Sequence, residues 1–290
     1  ARTIGPDEPD TVWTLQGLTR VLSKLEAHAD ARHAYARLYE TQDRRLGAEA
    51  EETLDALRGL AWELGKVGEL EAARRTWTQL VETNEQVHGP KDERTLDSLI
   101  WLAEALDELG DEEKARAISE RVAGPLGRLY AASADTDGPD DPRTLTLGHD
   151  LGLTLERLGQ LEAARVAFKT TLEGYFRVQG KRGRAVSNLR GHLADIALKL
   201  GDPAGAHAMY GEALSIMRKQ PGPEDPDTLE LVGRDASALT ALGKKIAARN
   251  QARTVADGYR RTLGEENPLT HRAQARLDAM SPGRRKRRPA

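Results

Sequence analysis

Leucines fall at Leu18, Leu22 and Leu25, and the same spacing returns at Leu60, Leu64, Val67, at Leu102, Leu106, Leu109 and at Leu151, Leu155, Leu158. Steps of four and three put each trio on one face of a helix. A second marker sets the period. Thr11, Thr53 and Thr95 stand 42 residues apart, Thr144 follows after 49, and Val186, Thr228 and Thr270 resume the 42-residue step. A fixed period in this range signals stacked supersecondary units.

Counted from that origin, position 15 is Gly in five of six repeats: Gly68, Gly110, Gly159, Gly201 and Gly243. Glycine adopts positive φ without a Cβ clash, so it predicts the end of a first helix. Position 20 is always Ala: Ala31, Ala73, Ala115, Ala164, Ala206 and Ala248. A small side chain there lets two helix backbones approach. Position 24 is large in four repeats, at Tyr35, Trp77, Phe168 and Tyr210, and is expected to fill the gap between neighbours. Repeat 3 has Ser119 there and repeat 6 has Ala252, where looser packing is expected.

Between repeats lies a turn such as "GPEDPDT" at Gly222, with relatives at Gly5, Gly89, Gly138 and Gly264. Gly and Pro stop one helix. Asp or Asn before the second Pro caps the next, with Pro at the first helical position. Asp141–Pro142, Asp225–Pro226 and Asn267–Pro268 are therefore restart signals. The turn before Val186, "GKRGRAV", lacks both Pro and Thr. Repeat 3 also carries seven extra residues around Ala123–Tyr130. As regular helix they add roughly 10 Å. Gly124–Pro125 instead predicts a kink or break, with the chain changing direction there.

The leucine, glycine, alanine and aromatic positions resemble the tetratricopeptide repeat through six units, in the longer form typical of kinesin light chain-type repeats of bacterial proteins. The resemblance implies an all-α fold, a right-handed superhelical solenoid of six helix pairs plus a C-terminal capping helix. The expected repeats are about 6–47, 48–89, 90–138, 139–180, 181–222 and 223–264, with the cap at 265–281. Residues 1–281 then form the repeat domain and 282–290 a basic, disordered tail. "ARTIG" at the start matches the end of a second helix, "RRTLG" at 260–264, so a further repeat or domain is expected upstream.

Composition narrows the function classes. The 290-residue chain has no Cys, which excludes disulfides and Cys-based zinc sites and fits a reducing, cytoplasmic compartment. It has no run of 18 apolar residues, the minimum read as a membrane span. Arg outnumbers Lys 32 to 11, a bias of high-GC bacterial genomes. The net charge of −3 hides an asymmetry: "GRRKRRPA" at the end carries five positive charges, and the body is acidic. The body does not look like a nucleic-acid binder. The tail is either a nucleic-acid or acidic-surface contact or a solubilising end. No nucleophile elbow, zinc-protease, Walker or dinucleotide signature is present, so an enzyme is not expected, nor is a metal or other cofactor.

In tetratricopeptide proteins the first helices line a concave groove, commonly through positions 2, 5, 6, 9, 12 and 13. The resemblance therefore implies a peptide- or protein-binding set of Trp13, Gln16, Arg20, Arg58, Trp62, Trp101, Glu104, His149, Asn188, His192, Asp195 and Arg234. Trp62 and Trp101 are expected to form a two-point apolar anchor, offset along the groove, with Arg20 and Arg58 on one side and Glu104 and Glu108 on the other. The rival reading packs these Trp on neighbouring helices. His149, Asp150, His192 and Asp195 on adjacent helices form a residue set of zinc-binding type, weighed against solvated polar groove residues. The Lys and Asn pattern of the family's carboxylate clamp is missing. The expected function is a non-enzymatic interaction scaffold. The alternative is an effector-sensing module of a larger signalling or transcription-regulatory protein.

Overall fold

A computed structural model describes residues 9–25, 27–180, 183–219 and 221–280. The described residues form thirteen α-helices and no strand: α1 (Pro9–Lys24), α2 (His28–Leu46), α3 (Glu51–Lys66), α4 (Leu70–Val87), α5 (Glu93–Glu108), α6 (Glu112–Thr136), α7 (Pro142–Arg157), α8 (Leu161–Gln179), α9 (Arg184–Lys199), α10 (Pro203–Met217), α11 (Pro226–Ala241), α12 (Lys245–Leu263) and α13 (Pro268–Ala279). Odd-numbered helices are the first of each pair. Among the described residues contacts gather into two compact units, one of residues 9–132 with 153–159, the other of 133–152 with 160–280.

Glycine and the capping residues set the helix ends. Gly68, Gly110, Gly159, Gly201 and Gly243 all take positive φ just after a first helix, while Gly47, Gly89, Gly138, Gly180, Gly222 and Gly264 do so between repeats. Asp225 caps α11 by accepting from the backbone N–H of Asp227 and Thr228, and Asn267 caps α13 through Leu269 N–H. Asp141 accepts from Arg143 N–H at the head of α7. The Thr that closes the turn is buried at Thr53, Thr95, Thr144, Thr228 and Thr270 and partly buried at Thr11. Thr95 and Thr270 donate their hydroxyls to the carbonyls of Gly89 and Gly264, both at 2.8 Å, tying the turn to the helix it starts. Where the turn lacks Pro and Thr, Val186 fills the same buried position.

Within the first unit α2 packs on α3 and α4 on α5; within the second, α8 packs on α9, α10 on α11 and α12 on α13. All six position-20 alanines are buried. Trp77, Phe168 and Tyr210 are buried too, and so are the smaller Ser119 and Ala252, whose sites were expected to pack loosely. Ser119 satisfies its hydroxyl on Ala115 O at 3.0 Å. The α1 trio departs from expectation: Leu18 and Leu25 are exposed. In the first unit α3 and α5 are each covered by a preceding second helix, and no described helix precedes α1.

The expected break at Gly124–Pro125 does not occur. α6 runs uninterrupted for 25 residues with Pro125 inside it, so the seven extra residues lengthen a helix. Pro removes one N–H and one hydrogen bond. Val122 and Leu126, fully buried on either side, hold the helix on the core through that gap. The basic tail, Glu26 and residues 181 and 182 of the "GKRGR" loop lie outside the described residues.

Candidate functional site

A recurring contact organises the first-helix face. The side chain at position 6 of one first helix meets position 9 of the preceding first helix. In the first unit Trp101 meets Trp62 edge-on, with ring centroids 4.7 Å apart and planes at 88°. Its other side stacks on Trp77 at 6.4 Å. Trp101 Nε1 donates to Asp97 Oδ1 at 3.2 Å, which fixes the ring one helical turn from its partner. The two tryptophans therefore form one contiguous aromatic surface, not two offset points. Position 6 of α3 is Gly59, and the Tyr35 ring occupies the space that a Cβ there would need.

Trp62 is the accessible member, at 37% exposure, while Trp101 is partly buried. Lys66 Nζ lies 4.9 Å from the Trp62 ring centroid, a cation–π contact one turn along the same helix. Trp13 is 78% exposed and stands apart from this cluster on α1, where Gln16 and Arg20 are exposed too.

Charged neighbours of the tryptophans are already engaged. Arg58 pairs with Asp55 at 2.9 Å and lies 3.9 Å from Asp97. Glu104 is held by Arg157 at 2.5 Å, and the same guanidinium, 8% exposed, also grips Asp107. Of the charges expected to bracket the tryptophans, Arg58 and Glu104 are thus tied into the helices.

In the second unit His192 stacks on buried Phe168, with centroids 5.0 Å apart and planes at 13°, and His149 approaches His192 edge-on at 5.4 Å. His149 Nδ1 stands 3.4 Å from Asp150 Oδ1. Asp195 pairs with Arg234 and accepts from the Tyr210 hydroxyl. Among the described residues no group of three or more His, Asp or Glu is arranged to hold a metal ion. Asn188 is exposed at position 2.

The position-6 contact repeats twice more. Arg234 Nε lies 3.2 Å from Asp195, its position-9 partner, and Arg276 Nη2 donates to Ser237 Oγ at 2.5 Å. Arg276 and Ser237 were missed in the sequence. The signal was there: they sit at positions 6 and 9, one repeat beyond Arg234 and Asp195.

Residues 236–269, from the end of α11 to the start of α13, match the tetratricopeptide repeat family. No curated protein sequence matches the chain. Among solved structures it is similar to BtubC (BKLC) from P. vanneervenii, at 18% identity over 91% of this chain and 94% of that one, TM-score 0.45. It is similar to TTC0263, a thermophilic TPR protein of Thermus thermophilus, at 22% identity over 79% and 99%, TM-score 0.49. A Rap protein complexed with competence and sporulation factor matches at 14% identity over 93% and 74%, TM-score 0.54, a likeness that shows a shared helix-pair fold.

Proposed function

We propose that this chain of tetratricopeptide repeats is a non-enzymatic scaffold that binds a peptide or protein surface on its first-helix face. The observation that carries the reading is Trp62. A large aromatic ring is left accessible, yet its position is fixed by Trp101 behind it and Lys66 beside it. A rigid, half-exposed tryptophan loses little conformational freedom on binding and removes much apolar area from water, which is why such residues dominate interface energetics. The partner segment suited to it presents an apolar side chain to the indole. That Rap protein, of the same fold, is complexed with competence and sporulation factor, which supports a binding role for this architecture.

In the second unit the first helices carry His149, Asn188 and His192, polar groups that supply orientation more than affinity. Capture of partners from the native cell extract by the wild-type chain and by Trp62→Ala, identified by mass spectrometry, tests the reading. A partner retained by the first and lost by the second is the expected result. Equal capture by both, with helicity unchanged, overturns it.

A further inference from the structure

Arg234 and Arg276 are equivalent residues one repeat apart, and they are neutralised differently. The Arg234 guanidinium lies across Gly191 of the preceding first helix, 3.6 Å from where a Cβ would stand, and pairs with Asp195. The Arg276 guanidinium lies across Gly233 of its own preceding helix at the same 3.6 Å. Its position-9 partner is Ser237, a neutral hydroxyl. Among the described residues Arg276 makes no ion pair.

A guanidinium offers five donors in a planar fork matched to a carboxylate. At Arg276 one of these donors meets Ser237. Arg276 is solvent-exposed as a residue, yet its head is close enough to α11 that desolvation lowers its pKa, an effect that Tyr210 partly offsets. The charge is partly dehydrated without the counter-charge that its sister receives.

We propose that Arg276 is a carboxylate-binding site on the first-helix face of the second unit, and that a carboxylate of the bound partner takes the place there that Asp195 takes at Arg234. The glycine at position 5 lets the guanidinium lie against α11. A carboxylate is favoured over other anions because that is the group the equivalent slot holds. It comes from an Asp or Glu side chain or from a chain terminus. The site rests on the reading of this face as the binding surface.

The test uses small probes, so that its failure is separate from any failure at Trp62. N-acetyl-aspartate amide supplies only a side-chain carboxylate and N-acetyl-alanine only a terminal one. Each is titrated at constant ionic strength into the full chain while the Arg276 Nε–Hε resonance is followed. A saturable shift with either probe is expected, and the tighter one names the source. Ser237→Asp, which installs the repeat-5 arrangement, is expected to weaken that binding about tenfold by occupying the guanidinium. Ser237→Asn, of similar shape without the charge, should keep it. No shift beyond that of chloride, or equal shifts in wild type and Ser237→Asp, overturns the proposal.

Discussion

Trp101 stands between two other tryptophans: its ring meets Trp62 edge-on at 4.7 Å and stacks on Trp77 at 6.4 Å. The two residues expected to act alike therefore do different work. Trp101 fills the seam between repeats, and Trp62 presents the outer surface. Trp101→Ala should cost about 2–3 kcal/mol of stability by opening a cavity in that seam. Trp62→Ala should cost well under half as much, because much of its ring already meets water. Urea melts of the two variants separate the roles; equal losses would mean that Trp62 is a packing residue too.

Arg157 bridges two carboxylates of α5, Glu104 at 2.5 Å and Asp107, with its own side chain nearly buried. Replacing it with Met keeps the volume and strands both acids. The acids are about a third exposed or more, so solvent softens the penalty. A loss of about 1–2 kcal/mol is expected. Glu104→Gln should lose less, since Asp107 still engages the guanidinium. Denaturant unfolding of both variants checks the order.

The fold was legible in the sequence because each signal acts locally. Glycine at position 15, Asp or Asn before Pro, and alanine at position 20 each determine a turn or a contact without help from distant residues. The functional face was harder to read. Positions 6 and 9 lie about a repeat apart in sequence, so their contact is visible only once the first helices are side by side. Trp62 and Trp101 look like two separate anchors in the sequence for that reason. Glu104 looks available there because its partner, Arg157, lies 53 residues away. Pro125 misleads in a different way. Its local preference is to break a helix, and the buried Val122 and Leu126 outweigh it.

That balance at Pro125 gives a test by substitution. Pro125→Ala restores an N–H to the interior of α6 and should stabilise the chain by up to about 3 kcal/mol. At Gly124 an added Cβ meets only Arg128 Nη1, at 3.7 Å, an ordinary contact. Gly124→Ala should therefore stabilise by about 0.5–1 kcal/mol. Thermal melts showing a loss for both would mean that α6 depends on an irregularity at this point.

The turn at Gly138 contains a pH-sensitive pair. Arg177 on α8 grips Asp140 through three contacts, Nε at 2.9 Å to each carboxylate oxygen and Nη2 at 2.6 Å to Oδ1. That hydrogen bonding holds the Asp140 carboxyl below the ordinary carboxylate range. The Arg177 pKa is raised in return, by the same bond. A carboxyl with a lowered folded pKa binds fewer protons folded than unfolded. Its stabilising contribution is present above the ordinary Asp range and is lost as pH falls through the lowered value. Both groups are exposed, so the effect on stability should be small and weakened by salt. The Asp140 carboxyl carbon, followed by NMR titration, should show a midpoint below that of an ordinary Asp. Arg177→Gln should return the midpoint upward without altering the helices. A midpoint indifferent to Arg177 would mean that the pair does not persist in solution.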